Sequence, residues 1–504
     1  MRDLVIGVDA STTGVKAIAF DRGGAPVAEA RAAYPLSMPL PGHVEQDAED
    51  WWSALSGALR TLVAEVGAAR IGALAIGHQR ETFVFVDAAG HPLAPAILWL
   101  DERARPQVAR LSAAVGRERL RDLSGKPPDP TPALYGIAWM AEHRPQVVAA
   151  AHAVLDAGGF LIRRLTGRLA TSVPSADPLG LVHVETGAWD ETLVAAAGLR
   201  PAQLPALVAP GAVIATLTAE AAALTGLAPD TAIVAGAGDG QMAGLGVGAI
   251  DEATGYLSLG SGVVTGLFGR DYRTADAHRT LASPTGRGFM FETVLRSGMQ
   301  LVEWTVRTLR PPAAGAASDL EALQAAALAV PPGSGGLMVL PYWAGVMNPY
   351  WDEAARGVVL GLTLDHTPAH LFRAALEGIA YEQHVTTHLL EASVGRRPER
   401  FIACGGGTKS PLLMAVMAAV LERPLAVSPV NEAVALGAGV LAAAALGWHG
   451  SIEAAAAAMV APPTRIVEPD PALTAAYAPR IAIYRDVFAA TSGVAQRLYA
   501  LGTG

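Results

Sequence analysis

One arrangement occurs twice in this sequence and constrains the fold more than any other feature. Each copy is an apolar run, a short turn of glycine and hydroxyl residues, and a second apolar run, a pattern that predicts a β-hairpin. The first copy spans residues 4–20 and the second spans residues 254–268 of the 504-residue chain. Because half of the chain separates them, the copies predict a duplicated architecture. Turns of glycine and serine are common, so a chance pair of hairpins stays open on this observation alone.

Further strands and helices alternate after each hairpin. Apolar runs and capping residues predict helices at 47–66, 371–390, 411–421 and 434–445, and strands at 71–76, 82–86, 96–99 and 401–404. Such alternation is typical of an α/β fold. A glycine-rich stretch at residues 244–248 predicts a hinge, which divides the chain into domains 1–247 and 248–504. The alanine-rich tail, residues 454–501, is expected to be helical.

The composition excludes several classes of protein. Hydrophobic residues make up 51% and charged residues 16% of the chain, so most of it is expected to fold. The net charge of −9 and the absence of a basic block argue against binding to nucleic acid or to an anionic membrane. A single cysteine, Cys404, excludes an internal disulfide and a cysteine-based zinc site.

The apolar stretches do not predict targeting or membrane segments. Asp3 and Asp9 interrupt the apolar run at the N-terminus, unlike a signal peptide. The most apolar run, residues 433–448, is shorter than the roughly 18 residues of a membrane span. These features predict a soluble, cytoplasmic enzyme.

Three turns have the chemistry of phosphate sites, which need small side chains and exposed backbone N–H groups. They carry, in order, Ser11, Thr12 and Thr13; Gly260 and Ser261; and Gly405, Gly406 and Gly407. Asp9, at the start of the first turn, has the oxygen ligands that Mg²⁺ prefers. Lys16 follows that turn and is one of only three lysines among 37 basic residues, a count that a coding bias toward arginine mostly explains. Each turn taken alone could be a turn and nothing more.

Four polar or aromatic side chains follow predicted strands and are candidates for catalysis or substrate binding. Asp239 leaves a strand between two glycines, where its carboxylate could take a proton from a substrate hydroxyl or could cap a helix. Arg80 and Glu81 could bind adjacent hydroxyls or form a surface ion pair. Trp99 could stack on a flat carbon face or belong to the core.

Common nucleotide and metal motifs are missing from the sequence. No segment fits G-x-x-x-x-G-K-[ST], and no H-E-x-x-H occurs. In the run from Gly236, Gln241 stands where a dinucleotide fingerprint needs its third glycine. A P-loop NTPase and a Rossmann dehydrogenase are therefore not expected.

Taken together, the motifs of the whole chain resemble those of the FGGY-type carbohydrate kinases, in the superfamily of sugar kinases, heat-shock ATPases and actin. The matching stretches stand in family order at residues 6–14, 45–52, 79–82, 96–99, 235–241, 259–262, 348–358, 376–378, 405–407 and 435–437. That order is far more specific than any single motif.

The resemblance implies two actin-like, ribonuclease H-like α/β domains with a cleft between them. ATP phosphates would lie between the first two turns, with Mg²⁺ at Asp9 and the adenosine at the third turn. A sugar or polyol would contact Gln79, Arg80, Glu81, Trp99 and Asp239, and Asp239 would be the general base. The resemblance also implies a homodimer.

Within the family the substrate signals conflict. Residues 79–82 and 349–357 look most like glycerol kinases, whereas residues 45–47 and 299–304 look closer to xylulose kinases. Three positions look smaller than in glycerol kinases: Thr131 for a tyrosine, Val264 for a phenylalanine, and Gly240 for a glutamine. A larger pocket would favour a four- or five-carbon polyol or a xylulose-like ketose over glycerol, unless neighbouring side chains refill the space.

Two other functions are alternatives to a kinase. A sugar-binding regulator on the same fold would have no need of Asp9 or Asp239. An ATP-driven scaffold of the actin or chaperone type would have no use for Arg80, Glu81 and Trp99 around a polyol-sized pocket. Both readings are therefore disfavoured.

Overall fold

The computed structural model describes residues 2–309 and 316–502. The strands before residue 248 are β1 (Leu4–Ala10), β2 (Gly14–Phe20), β3 (Pro26–Ala33), β4 (Glu45–Gln46), β5 (Ile71–His78), β6 (Phe83–Val86), β7 (Ala96–Ile97), β8 (Ala153–Asp156), β9 (Ala170–Ser172), β10 (Val182–His183), β11 (Ala188–Trp189), β12 (Ala206–Val208), β13 (Val213–Thr216) and β14 (Ala232–Gly238). The helices there are α1 (Ala48–Val66), α2 (Arg105–Val115), α3 (Arg117–Ser124), α4 (Ala133–His143), α5 (Pro145–Ala150), α6 (Ala157–Thr166), α7 (Val173–Ala176), α8 (Glu191–Ala196), α9 (Ala219–Thr225) and α10 (Asp239–Gly246).

The remainder of the chain adds a second set of elements. Its strands are β15 (Thr254–Leu259), β16 (Val263–Gly269), β17 (Arg279–Ala282), β18 (Phe289–Leu295), β19 (Met338–Leu340), β20 (Val358–Leu360), β21 (Arg400–Cys404), β22 (Leu425–Val427) and β23 (Arg465–Val467). Its helices are α11 (Gly298–Leu309), α12 (Ala316–Leu328), α13 (Pro368–Val394), α14 (Pro411–Leu421), α15 (Ala433–Ala445), α16 (Ile452–Met459) and α17 (Pro471–Gly502).

Both halves are built on a mixed sheet of the same plan. The first sheet has the order β13-β14-β5-β1-β2-β3, and the second has the order β17-β18-β16-β15-β21-β22-β23. In each, an antiparallel hairpin (β1–β2 or β15–β16) lies beside a strand parallel to its first member, β5 or β21. The predicted duplicated α/β architecture is therefore confirmed.

Helices cover the sheets because their apolar faces match the buried strands. Helix α1 begins where the Asp47 carboxylate accepts a hydrogen bond from the backbone N–H of Glu49, 2.9 Å away. It buries Trp51, Leu55 and Leu59 against one face of the first sheet. Helices α13 and α14 belong to the core of the second sheet.

Helix α15 lies in the second half of the sequence but covers the other face of the first sheet. Its alanines share a core with Val5 and Ile18 of the β1–β2 hairpin. A Cβ atom at Gly7 of β1 would overlap the Ala435 carbonyl oxygen, and one at Gly437 would overlap that of Met242 in α10. Backbones can approach this closely only at glycine. The chain boundary at 247/248 stays a prediction, and the hydrophobic cores do not separate there.

The tail differs from its prediction in one element. Residues 454–501 were expected to be helical throughout, but β23 lies between α16 and α17 and pairs antiparallel with β22. Pro462, Pro463 and Pro469 interrupt a helix here, and the β-branched Ile466 and Val467 favour a strand that pairs with the sheet edge. Within the described residues, no helix combines the length and apolarity needed to cross a bilayer.

Candidate active site

Asp9 lies near the carboxyl end of β1, just before the first turn, with its carboxylate half-buried. Asp9 pairs in register with Lys16 of β2. Among the described residues, no hydrogen-bond partner reaches Asp9 Oδ1, which is buried. Burial, together with the nearby Asp239 charge, raises the pKa of Asp9 to about 7. A buried carboxylate oxygen without a partner fits a hard divalent cation.

A metal held there would take most of its ligands from outside the protein. Within residues 2–309 and 316–502, no group of three or more His, Cys, Asp or Glu side chains forms a metal-binding cluster. Mg²⁺ commonly binds one or two carboxylates and completes its shell with water and substrate phosphates. Asp9 fits that pattern.

Lys16 is held by a residue distant in sequence. Its ammonium forms an ion pair with Glu432, which directly precedes α15, and Arg31 lies 3.6 Å from the same carboxylate. The lysine expected to face phosphate is thus partly neutralised by the second half of the chain.

The hydroxyl residues of the first turn have different surroundings. The backbone N–H and the Oγ of Ser11 both donate to the Gly14 carbonyl oxygen, each at 3.0 Å. The Thr12 hydroxyl accepts a hydrogen bond of 2.9 Å from Trp99 Nε1, and Thr13 is exposed. Trp99 therefore lies against the first phosphate turn, where it can also border a substrate.

The other two predicted turns lie together. The carbonyl oxygens of Gly260 and Ser261 accept from the backbone N–H groups of Met299 (3.0 Å) and Gln300 (3.2 Å) at the start of α11. A Cβ at Gly405 would lie 2.7 Å from the Leu259 carbonyl oxygen, whereas one at Gly406 would meet nothing within 4 Å.

The third turn therefore packs beside the second through its first glycine and is open at its middle. Gly407, its last glycine, packs tightly as well, because a Cβ there would lie 2.7 Å from the Leu259 Cβ.

Asp239 begins α10, directly after β14. Its side chain is 38% exposed. Its Oδ1 accepts a hydrogen bond of 2.8 Å from the Gly240 backbone N–H and lies 3.1 Å from Arg80 Nε. The carboxylate is thus fixed through one oxygen and reaches open space, as a general base requires.

Arg80 and Glu81 lie just after β5, but they do not form a surface ion pair with each other. Both are buried. Arg80 Nη1 lies 2.7 Å from Glu292 Oε2, and Arg279 Nη1 lies 2.7 Å from Glu81 Oε1. Arg279 Nη2 also lies 3.1 Å from Glu292 Oε2. Five charged side chains therefore form one chain: Asp239, Arg80, Glu292, Arg279 and Glu81.

Gln79 uses both ends of its side-chain amide inside the first half. Its Nε2 donates to Gln46 Oε1 at 3.2 Å, and its Oε1 accepts from the Thr82 hydroxyl at 3.3 Å. These bonds support the strand end that carries Arg80. Contact of Gln79 with substrate stays a prediction.

Sequence reasoning missed three charged residues near the site: Arg279, Glu292 and Glu432. The first two meet residues about 200 positions away, which no local pattern reports. Glu292 did leave one signal, because it is a charged residue inside the otherwise apolar strand β18. Charges in that setting are almost always paired.

The three small positions of the expected sugar pocket are not all open. At Gly240 the expectation of extra room is wrong, because an added Cβ would lie 2.6 Å from Arg80 Nη2. Thr131 Oγ1 accepts a hydrogen bond of 2.9 Å from Arg296 Nη2, which also reaches Asp129. Val264 faces no such charged neighbour in the described contacts. Polar groups thus line part of the expected space.

Two sheets of one plan, with the carboxylates of Asp9 and Asp239 at strand ends of the first sheet, define the class of actin-like phosphotransferases. The profile described as "FGGY family of carbohydrate kinases, N-terminal domain" matches residues 4–246, and its C-terminal counterpart matches residues 255–446. The chain therefore belongs to the FGGY family of carbohydrate kinases, phosphotransferases that act on sugar hydroxyls.

Three known proteins show the range of its relatives. The xylulose kinase of Lactococcus lactis subsp. lactis is 28% identical over 499 residues, 98% of each chain. The glycerol kinase of Nocardia farcinica is 31% identical over 477 residues, 90% of this chain and 92% of that one. The crystal structure of gluconate kinase from Lactobacillus acidophilus shares the fold with a TM-score of 0.92 at 24% identity, covering 98% of this chain and 99% of the other.

Proposed function

We propose that this carbohydrate kinase uses ATP and Mg²⁺ to phosphorylate a four- or five-carbon polyol or a xylulose-like ketose. The observation that carries the reaction is the half-exposed Asp239 carboxylate, fixed by Arg80 Nε and the Gly240 N–H. Within residues 2–309 and 316–502, both partners use Oδ1. The Oδ2 atom is therefore the one that can take the proton from the attacking hydroxyl.

Arg80 has two roles in this proposal. Its Nε keeps Asp239 in one orientation, and its positive charge lies beside the carboxylate that would accept the proton. Burial alone would lower the pKa of Arg80, but Glu292, Glu81 and Asp239 together raise it above its usual value, so the guanidinium stays charged. Phosphoryl transfer depends mostly on positioning and charge stabilisation, and these residues supply both.

Asp9 would hold Mg²⁺, and the first two turns would hold the ATP phosphates. When bound, Mg²⁺ neutralises the charge that develops on the transferred phosphoryl group. The backbone of Ser11, Thr12 and Thr13 and that of Gly260 and Ser261 would contact phosphate oxygens. The adenosine would lie at Gly405, Gly406 and Gly407, where Gly406 borders open space. Closure of the cleft would exclude water and limit hydrolysis of ATP.

Polar walls support a substrate longer than glycerol. Thr131, which the resemblance aligns with a tyrosine of glycerol kinases, holds Arg296 through a hydrogen bond, and the other N–H groups of that guanidinium could serve extra substrate hydroxyls. The alignment with a xylulose kinase over 98% of both chains, at 28% identity, supports the same direction. A second candidate is glycerol itself, favoured by the 31% identity to a glycerol kinase.

A substrate panel tests the proposal. ADP release is measured with glycerol, erythritol, xylitol, xylulose, ribulose and gluconate at saturating MgATP. We expect kcat/KM for the best four- or five-carbon substrate to exceed that for glycerol by about 100-fold, the sum of several lost contacts. Glycerol or gluconate as the best substrate would overturn the proposed class.

Location and assembly complete the proposal. The acidic charge and the lone, buried Cys404 support a cytoplasmic enzyme. The family resemblance supports a homodimer. Light scattering of the purified enzyme gives its mass in solution, and a 51.8 kDa monomer would contradict the dimer.

A further inference from the structure

We infer that Glu292 and Arg279, both from the second half, are positioning residues that hold Arg80, Glu81 and the base Asp239 in their working arrangement. The inference rests on the proposed function, because it assigns Asp239 the role of base and Arg80 and Glu81 the role of hydroxyl-binding groups. It adds that the sugar site is completed from β17 and β18.

Glu292 is the centre of this arrangement. It is fully buried, and its Oε2 accepts from Arg80 Nη1 at 2.7 Å and from Arg279 Nη2 at 3.1 Å. Its Oε1 accepts from the hydroxyl of Tyr256. Burial alone would raise the pKa of Glu292, but the Arg80 and Arg279 charges outweigh it and hold the pKa below its usual value. Glu292 is therefore a charged partner shared by both arginines.

Sharing Arg80 keeps Asp239 available. Arg80 reaches Asp239 through Nε and Glu292 through Nη1, so its guanidinium has one orientation. That orientation places the group over Gly240, where no larger residue fits without displacement. If Glu292 lost its charge, Arg80 would be drawn wholly to Asp239, since a guanidinium readily binds both oxygens of one carboxylate. Arg80 would then bind Asp239 Oδ2, the oxygen that is proposed to accept the proton of the substrate hydroxyl.

Arg279 performs the corresponding task for Glu81. Glu81 has a backbone φ of 59°, a conformation that residues other than glycine rarely adopt. Its buried carboxylate lies 2.7 Å from Arg279 Nη1. That pairing fixes the direction of a side chain whose backbone conformation is otherwise unfavourable. Arg279 should therefore affect how tightly the sugar is held, whereas Glu292 should affect the chemical step.

The arrangement also joins the two halves of the molecule. Asp239, Arg80 and Glu81 follow strands of the first sheet, while Arg279 and Glu292 belong to the second. Arg80 pairs with Glu292 and Arg279 pairs with Glu81 across the boundary, and all four charges are buried. Correct geometry at the base thus requires the halves to be in contact.

Steady-state kinetics of three variants test the inference. The probe is whichever sugar of the panel the wild-type enzyme phosphorylates best. Glu292→Gln keeps the shape and removes the charge, and we expect its kcat with that sugar to fall about 100-fold, as when a reacting group is displaced. Glu292→Asp keeps the charge and should recover part of the loss. Arg279→Lys should raise the sugar KM about tenfold with little change in kcat, because lysine cannot reproduce the forked pairing.

Glu391→Gln is the matched control. It breaks a buried pair in the same half, where Arg423 Nη2 lies 2.9 Å from Glu391 Oε2. We expect it to lower Tm without changing the sugar kcat/KM, and we expect the KM for MgATP to stay within about twofold in every variant.

The outcomes separate the inference from the function it rests on. Wild-type enzyme without activity on any sugar of the panel would overturn the proposed function. An active wild type with unchanged sugar kinetics in Glu292→Gln would overturn the inference alone. Equal losses of sugar kcat in Glu292→Gln and Glu391→Gln would also overturn the inference. Equal changes in the KM values of sugar and MgATP would do the same, because either result marks a merely structural role.

Discussion

The two hairpins have the same topology but carry different chemistry. In β1–β2 the register pairs Asp9 with Lys16, a carboxylate with an ammonium. In β15–β16 the corresponding rung pairs Ser258 with Val264, and the turn between the strands is glycine and serine only. One copy of the duplicated hairpin therefore carries charged side chains at this rung, whereas the other carries none there and offers mainly backbone groups.

The difference between the charged and the neutral hairpin shows how a symmetric fold can act on an asymmetric substrate. A triphosphate with a metal needs a carboxylate on one side only. A second carboxylate facing the same phosphates would repel them. The neutral hairpin can approach phosphate oxygens through backbone N–H groups without that penalty. Asp9, Val264 and Lys16 test this division directly, whereas Asp239 tests the base outside the hairpins and Glu382 tests the interior of the second half.

The largest effect is expected at the base. Asp239→Asn should lower kcat by about 10²–10⁴-fold, the usual contribution of a positioned general base. Sugar and nucleotide binding, measured by calorimetry, should be retained, because the amide keeps the shape of the side chain. Turnover close to wild type would identify Asp239 as a helix cap.

The two hairpins themselves can be compared through Asp9 and Ser258. Asp9→Asn should lower kcat/KM for MgATP about 10–100-fold, since an amide is a poorer metal ligand. Ser258→Ala, at the corresponding rung, should change it by no more than about threefold. Equal losses in the two variants would contradict the division of chemistry between the hairpins.

The neutral hairpin should respond to steric change instead. Val264→Phe should lower kcat/KM for the best four- or five-carbon substrate about tenfold and leave glycerol less affected, because the ring refills space beside the substrate. The ratio of the two kcat/KM values is the measurement. An equal loss for both substrates would place Val264 outside the sugar pocket.

Lys16 should give a smaller effect than Asp9. Lys16→Ala should raise the KM for MgATP about fivefold, the scale of a partly exposed charge contact, and should leave the sugar KM nearly unchanged. Glu432→Gln, which frees the ammonium, should shift the KM for MgATP in the opposite direction. Identical changes in the KM values for sugar and MgATP would contradict a phosphate-binding role for Lys16 and would favour coding bias as the reason for its presence.

The smallest effect concerns a carboxylate in the interior of the second half. Burial raises the pKa of Glu382 to about 7, against the hydrogen bonds donated by Tyr484 and Tyr342. The unfolded chain releases this proton near pH 4.5, so the contribution to stability is complete below that pH and lost as pH rises through 7. Glu382→Gln should therefore raise Tm by roughly 1–2 °C more at pH 8 than at pH 5. A pH-independent change would contradict the raised pKa.

Local sequence predicted the scaffold well because the relevant signals are short. Apolar runs around small turns predicted both hairpins, and Asp47 predicted the start of α1 within one residue. Asp239 could be singled out because a carboxylate between glycines is unusual at a strand end. The partners of Arg80 and Glu81 could not be predicted from local sequence, because they depend on which strands of the second half pack against the first. The same holds for Lys16, whose partner lies 416 residues away.

The late position of helix α15 in the sequence affects how the protein folds during its synthesis on the ribosome. The first sheet is complete once residue 238 has been made, yet the face that holds Gly7 waits for residues 433–445. At about 5–20 residues per second, roughly 200 further residues take some 10–40 s to synthesise. During that interval an apolar surface of the nascent chain is uncovered. Chaperone binding to nascent chains halted near residue 300 should therefore exceed that to chains halted near residue 500, from which α15 has left the ribosome.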